Sequence, residues 1–473
     1  MSKLSNNDNN GLSRRSFLKY MGIGAAAGAL GACSAGNSEN TPARSRAQGE
    51  MTYRTNHNTG DKVSILGYGC MRLPTTANDS ARDSESVIDQ EAVNRSVDYA
   101  MAHGVNYYDT SPMYCKRQSE RAMGIALSRH PRDSYFLATK LSNFDPAFWP
   151  REKSIEMFNQ SLEDLQTDYI DYMLLHAIGG RSEDLDPMQT YRARFEDNGI
   201  LDFLKERRAD GTVRNLGFSY HGDISVFDYL MRLMDEGKTH WDFVQIQLNY
   251  VDWDDKSNLR RGMPEAEYLY RELAARNIPV VIMEPLLGGR LAKVPKNVEA
   301  KMKQRRPDDS IASWAFRYAG TFPEVLTVLS GMTYMEHLQD NLATYSPLNP
   351  LNDDERTFLH LAALDILQNA TVPCTDCRYC LPCPYGLDIP GIFRHYNKCI
   401  NDDNAPRDVN DPRYAEARRA YLVGYDREVP RLRQANRCVQ CRACEHKCPQ
   451  QLPIVEHLAN ISHYTEQLRQ GKA

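Results

Sequence analysis

Residues 92–114 read AVNRSVDYAMAHGVNYYDTSPMY. Apolar residues recur at helical spacing from Ala92 to His103, and the run Val105 to Asp109 is a short apolar strand that ends on an acid and passes into polar turn residues. The same alternation recurs eight times between about Met51 and Leu351. Strands are expected at Val63 to Gly69, Val105 to Asp109, Tyr135 to Thr139, Ile170 to Leu175, Arg214 to Ser219, Phe243 to Leu248, Pro279 to Met283 and Leu326 to Leu329. Helical patterns at Ala92 to His103, Lys153 to Leu165, Val226 to Glu236 and Ala266 to Arg276 fill the gaps. Alternating strand and helix units predict an α/β fold with a parallel sheet. Eight of them, without a dinucleotide-type glycine fingerprint, predict a closed (β/α)8 TIM barrel rather than an open doubly wound sheet. Reacting residues in such a barrel stand at the C-terminal ends of strands.

Downstream, eight cysteines crowd the last quarter of the chain. Cys374, Cys377, Cys380 and Cys383 form one run ending in Pro384, and Cys438, Cys441, Cys444 and Cys448 form a second ending in Pro449. Thiolates about three residues apart on a tight turn can converge on one iron–sulfur cube, and the proline after the last turns the chain away. Two runs imply two 4Fe-4S clusters. Structural zinc is the competing reading of paired CxxC motifs, but four close cysteines followed by proline, twice over, favour iron–sulfur. The second run has bacterial ferredoxin spacing, and the first is one residue short before Cys383. In two-cluster ferredoxins the last cysteine of each run ligates the other cluster, which groups Cys374, Cys377, Cys380 and Cys448, and separately Cys438, Cys441, Cys444 and Cys383. Cys399 is read as a buried structural thiol. The echo of Leu387-Asp388-Ile389-Pro390 in Leu452-Pro453-Ile454 suggests a duplicated unit, and the helical pattern from Tyr414 to Tyr425 makes the module helix-rich.

The chain begins differently. Ser13-Arg14-Arg15-Ser16-Phe17-Leu18-Lys19, followed by the apolar stretch Tyr20 to Ala32, resembles a twin-arginine export signal. That stretch is too short to span a membrane. Export of a folded chain suits clusters that must be inserted in a reducing compartment. Leu30-Gly31-Ala32-Cys33 resembles a lipobox, which leaves lipidation at Cys33 and ordinary cleavage as alternatives. Gly22-Ile23-Gly24 with Gly28 mimics a nucleotide-binding pattern, but no strand precedes it. The expected segments are thus a signal at 1–33, a polar linker at 34–50, the barrel at 51–351, a connecting helix at 352–370 and the cluster domain at 371–473. The net charge of −5 gives no reason to expect nucleic acid.

Asp109-Thr110-Ser111-Pro112-Met113-Tyr114 with Ser119-Glu120, Lys140 after Leu137-Ala138-Thr139, and His176 after Leu174-Leu175 stand in order at three consecutive strand ends. In this the body resembles the aldo-keto reductases, and the whole resembles an aldo-keto reductase barrel fused to a C-terminal two-cluster ferredoxin-type domain. The resemblance implies a catalytic tetrad of Asp109, Tyr114, Lys140 and His176. Tyr114 would be the proton donor in carbonyl reduction, its pKa lowered by Lys140, with Asp109 orienting the lysine and His176 aligning the carbonyl. It also implies nicotinamide binding, NADP or NAD, by Ser219, Gln245, Pro285, Leu286, Gly288, Gly331, His337 and Asn341. Met283 stands where many relatives stack an aromatic ring on the nicotinamide.

Other residues take plainer readings. Cys70 and Cys115 are expected to be buried side chains rather than nucleophiles. The charged stretch Gly179 to Asn198 is expected to be a solvated loop at the active-site rim, and Asp353 to Leu367 a capped amphipathic helix packing the cluster module against the barrel. Arg431, Arg433 and Arg437 form a surface face, with steering of an electron-transfer partner as the second reading.

The expected function is an exported iron–sulfur oxidoreductase, periplasmic or anchored on the outer side. It would interconvert a small carbonyl or sugar and its alcohol, with the clusters relaying electrons to or from a partner protein. The alternatives are a nicotinamide-dependent reductase with structural clusters and a non-catalytic electron-transfer module.

Overall fold

A computed structural model describes residues 50–76, 87–182, 184–254, 266–369 and 371–472. The export signal, the lipobox at Cys33 and the Gly22 to Gly28 pattern lie outside the described residues. A short antiparallel hairpin, β1 (Tyr53–Thr55) and β2 (Lys62–Ser64), precedes the sheet. Eight strands follow: β3 (Leu66–Gly69), β4 (Tyr107–Asp109), β5 (Phe136–Leu141), β6 (Ile170–Ile178), β7 (Val213–Tyr220), β8 (Phe243–Gln247), β9 (Val280–Met283) and β10 (Val325–Ser330). They close into one parallel barrel, with β10 pairing β3 through Ser330↔Tyr68.

The two-residue period of each strand sorts its side chains. Tyr107, Ala138, Tyr172, Leu174, Phe243 and Val281 pack together in one cluster. Their neighbours Tyr108, Leu137, Met173, Leu175, Val244 and Ile282 belong to another, which includes helix residues Val93, Val97 and Phe158. The expected single strand from Val63 to Gly69 is divided: Ser64 turns aside to Asn106, whose side-chain oxygen accepts the Ser64 amide at 2.8 Å, and the barrel strand begins only at Leu66. Gly217 on β7 is demanded by packing, because a Cβ there would overlap the Phe243 carbonyl.

Helix Asp353–Gln368 starts with a capping box between Asn352 and Glu355. Glu355 is gripped by Arg317 at 2.9 Å and Arg306 at 2.7 Å, and Phe358, Leu359, Ala362 and Ile366 join the barrel's own core. The helix therefore extends the barrel. The cluster module is seated by other residues: Arg290 Nη2 donates to Thr371 Oγ1 at 3.0 Å, Arg72 Nη2 to the Thr375 carbonyl at 2.6 Å, and Gln450 Nε2 to Gln247 Oε1 at 3.0 Å. Its helices, Ile389–Asn401, Tyr414–Glu428 and Ile454–Gln470, enclose a small core. Leu387 and Ile389 after the first cysteine run and Leu452 and Ile454 after the second share that core, as a duplicated unit requires.

Candidate active site

Asp109 ends β4, Lys140 lies near the end of β5 and His176 near the end of β6, so neighbouring parallel strands deliver three side chains to one mouth of the barrel. Tyr114 arrives from the turn after β4. Cys115, Lys116 and Arg117 follow it with φ of 47°, 55° and 67°, a left-handed run of non-glycine residues that costs roughly 1–2 kcal/mol each and is typical of functional sites. Lys140 Nζ donates to Asp109 Oδ1 at 2.5 Å and to the Thr110 carbonyl at 2.8 Å, and sits 4.7 Å from the centre of the Tyr114 ring. Gln245 Nε2 donates to the other Asp109 oxygen at 3.2 Å. The Tyr114 and His176 rings meet edge to face at 6.0 Å.

Burial sets the protonation of this group. It pushes the Tyr114 phenol well above its usual value, with Asp109 adding to the rise. This corrects the expectation that Lys140 lowers it, because the ammonium is committed to Asp109 and the desolvation of the phenol outweighs it. Burial likewise raises the Asp109 carboxyl against the pull of Lys140, and drives His176 well below the usual imidazole range, with Lys140 second in effect. His176 is therefore neutral near pH 7. Its Nδ1 lies 2.6 Å from Ser142 Oγ, which also meets Ser111 Oγ at 2.9 Å.

Several residues at the mouth have no signal in the sequence reading. The stretch from Gly179 to Asn198 is not simply a solvated loop. It contains helix Pro187–Tyr191 and a π-turn, Arg192–Glu196, that buries Arg194. Arg194 Nη2 donates to the His176 carbonyl at 2.7 Å, and the guanidinium lies 5.1 Å from the Phe144 ring, itself 4.8 Å from His176. Glu284, in the left-handed region at the end of β9, is a further carboxyl that burial raises, opposed by Arg72. Tyr379, between Cys377 and Cys380, reaches Phe144 with 6.2 Å between rings and is an electrostatic neighbour of Tyr114 and Asp109. Ser142 could have been found, since it shares a strand face with Lys140 two residues earlier. Cys70 and Cys115 have thiols raised by burial, consistent with packing roles.

The cysteines fall into two sets. Cys377 has Cys448 and Cys374 as electrostatic neighbours, and Cys380 has Cys377, Cys374 and Cys448, with Cys444 of the other run last in effect. Cys383, Cys438, Cys441 and Cys444 line one cavity. Among the described residues no three His, Cys, Asp or Glu side chains gather around a single-ion point; these four cysteines line their cavity together with Tyr385, Leu387 and Val439. Four thiols to each set is the donor number that a 4Fe-4S cube needs. Cys399 is buried and sits 3.5 Å from His395 Nε2, away from both sets.

The residues expected at a nicotinamide cofactor fit in part. Ser219 is buried with its hydroxyl accepting the Ala177 amide at 2.9 Å, Gln245 is buried beside Asp109, and Asn341 donates to Ser330 Oγ at 2.8 Å. Pro285 is buried, Leu286 half-buried, and Gly331 and His337 are exposed on the rim. Gly289 has open space where a Cβ would be. At Gly288 a Cβ would overlap the Thr375 carbonyl, so the close approach of the cysteine-bearing segment requires a glycine there.

Residues 65–357 match the model of the aldo/keto reductase family, and residues 373–453 that of a 4Fe-4S dicluster domain. The chain belongs to the aldo/keto reductase family and is an oxidoreductase of that fold, carrying a C-terminal dicluster domain. L-galactose dehydrogenase of Arabidopsis thaliana is 26% identical over 334 residues, 67% of this chain and 95% of that protein. D-arabinose 1-dehydrogenase of Saccharomyces cerevisiae is 33% identical over 132 residues, 26% of this chain and 35% of that protein. Among solved structures, the thermostable aldo-keto reductase Tm1743 superimposes with a TM-score of 0.50 at 20% identity, over 66% of this chain and all of its own, a likeness of fold.

Proposed function

We propose that this chain interconverts a carbonyl and an alcohol at the barrel mouth, with Tyr114 handling the proton. The observation that carries this reading is the convergence of Asp109, Tyr114, Lys140 and His176, with Lys140 pinned to Asp109 at 2.5 Å beneath the Tyr114 ring. Burial keeps the phenol in its protonated, donor form at neutral pH. It releases that proton to the substrate oxygen as charge develops there, because an alkoxide is a far stronger base than a phenolate. In the oxidative direction the same oxygen takes the proton back. Neutral His176, with Nδ1 engaged by Ser142, offers Nε2 to orient the substrate oxygen. NADP or NAD, when bound, supplies or accepts the hydride; Ser219, Gln245, Pro285, Leu286, Gly331, His337 and Asn341 are the residues to hold it.

The substrate is taken to be a small carbonyl compound or a sugar, in line with relatives named as L-galactose and D-arabinose dehydrogenases. Cys374, Cys377, Cys380 and Cys448 hold one cluster and Cys383, Cys438, Cys441 and Cys444 the other, relaying electrons to or from a partner. Export by the twin-arginine route, with Cys33 as a possible lipid anchor, gives the relay its purpose, because nicotinamide must be regenerated in place where none circulates. The seating of Thr375 against Gly288 favours one alternative, in which the clusters only brace the barrel mouth. Anaerobic titration with NADPH, NADH and candidate sugars, followed by cluster absorbance and electron paramagnetic resonance, separates the two; spectra unchanged during turnover refute the relay. Tyr114→Phe lowers turnover by at least ~100-fold if the tetrad is catalytic, and a parent-like rate refutes it.

A further inference from the structure

The cluster module presents two different environments to its thiols. Cys374, Cys377 and Cys380 belong to the segment seated at the barrel mouth, where Arg72 holds the Thr375 carbonyl. The other set opens outward: Cys441 is exposed, and the cavity that it shares with Cys383, Cys438 and Cys444 is walled by Tyr385, Val439 and Arg442. Tyr385, Val439 and Leu432 leave 53%, 54% and 75% of their surfaces in water around that one redox site. The turn Arg431–Arg433 belongs to the same rim, since Arg433 Nε donates to the Gly386 carbonyl at 3.0 Å and the Asp388 amide to the Arg433 carbonyl at 3.3 Å. Between residues 431 and 447, Arg431, Arg433, Arg437, Arg442 and Lys447 face a single acid, Glu445, in a chain whose net charge is −5. Glu445 is already engaged by Arg442 at 3.2 Å and by the Val455 amide at 2.9 Å, and from outside the stretch Asp426 meets Arg431 at 3.1 Å. Beyond the paired Arg431 and Arg442, Arg437 and Lys447 leave this stretch positive in sum.

We propose that this face is the docking surface for an acidic one-electron carrier protein, exchanging electrons with the outer cluster at Cys383, Cys438, Cys441 and Cys444. The inference rests on the relay reading above and adds the port and the charge of the partner. An apolar centre permits close approach, and a basic rim orients an acidic partner and raises its encounter rate. In each encounter one electron leaves the outer cluster, which is oxidised by one unit, and the carrier is reduced by one; no bond or proton moves.

The test uses the full chain purified without oxygen, with fluorescein-labelled flavodoxin as the acidic one-electron probe. Binding measured by fluorescence anisotropy is expected at low salt and to weaken as salt is raised. The Arg437→Glu/Lys447→Glu pair should lower affinity by about 10-fold or more at low salt, and the milder Arg437→Gln/Lys447→Gln pair by less, both with parent-like iron content. Dithionite-reduced protein should be reoxidised faster by hexacyanoferrate(III) than by hexaammineruthenium(III) at low ionic strength, and the charge-reversed pair should lose that preference. None of these readouts needs substrate turnover, so a failure of the relay itself shows separately, as clusters indifferent to substrate. Equal affinity in parent and charge-reversed proteins, equal rates with the two probes, or binding to phosphatidylglycerol vesicles with none to flavodoxin, overturns the proposal.

Discussion

Replacing Glu120 by glutamine should remove a pH-dependent penalty whose size follows from its surroundings. Glu120 is the second residue of the helix Ser119–Leu127 and is 3% exposed. Thr139 Oγ1 lies 2.5 Å and Ser161 Oγ 3.2 Å from its two oxygens, yet burial outweighs these bonds and pushes the carboxyl up from 4.5 to about 7. Below pH 4.5 the group is protonated in both folded and unfolded chains and costs nothing by this route. Between 4.5 and about 7 the unfolded chain has released a proton that the folded chain still holds, so stability falls as pH rises, by about 1.4 kcal/mol per pH unit. The loss reaches roughly 3 kcal/mol by neutral pH and is constant above it. Glutamine keeps the shape and has no charge to bury, at the cost of ~1 kcal/mol for a less favourable hydrogen bond. At pH 8 the variant should therefore be the more stable protein by ~2 kcal/mol, a rise of a few degrees in melting temperature, and at pH 5 it should be equal or slightly less stable. Circular dichroism melts at pH 5 and pH 8, run anaerobically at one scan rate with iron content matched, measure the difference directly. A variant-minus-parent difference that is the same at both pH values refutes the reasoning.

Lys140→Met leaves Asp109 buried with only Gln245 beside it; loss of ~3–5 kcal/mol of stability and of most turnover is expected, and a stable variant with parent-like kcat contradicts the pairing. Arg194→Ala removes the donor to the His176 carbonyl and the cation over Phe144, and should lower kcat/KM about 10-fold in steady-state assays while circular dichroism stays unchanged; an unaffected kcat/KM means that His176 is held without it. Cys448→Ala and Cys383→Ala should each remove about half the iron and leave different clusters behind. Electron paramagnetic resonance of the two reduced variants should then give two distinct spectra that sum to the parent's, and identical spectra would break the exchanged grouping.

What the sequence reveals of this site depends on how far apart its contributors lie along the chain. Asp109, Lys140 and His176 each stand at or near the end of an apolar run, so strand periodicity and barrel topology together bring them to one mouth. Arg194 escapes that logic because it belongs to a charged stretch whose composition reads as solvent-facing; only the fold shows it beneath Phe144 and bonded to His176. Tyr379 and Thr375 lie more than two hundred residues beyond Lys140, and their nearest signals, Cys374, Cys377 and Cys380, speak of metal and say nothing of the barrel. The protonation of Tyr114 was out of reach for another reason. Residue types place a lysine near a tyrosine, but the direction of the effect is decided by burial and by where the ammonium's charge is already committed, here to Asp109 at 2.5 Å. The segment that carries Cys374, Cys377 and Cys380 also presses Tyr379 against Phe144, which touches His176. The first cysteine run and the geometry around His176 are thus joined through packed side chains.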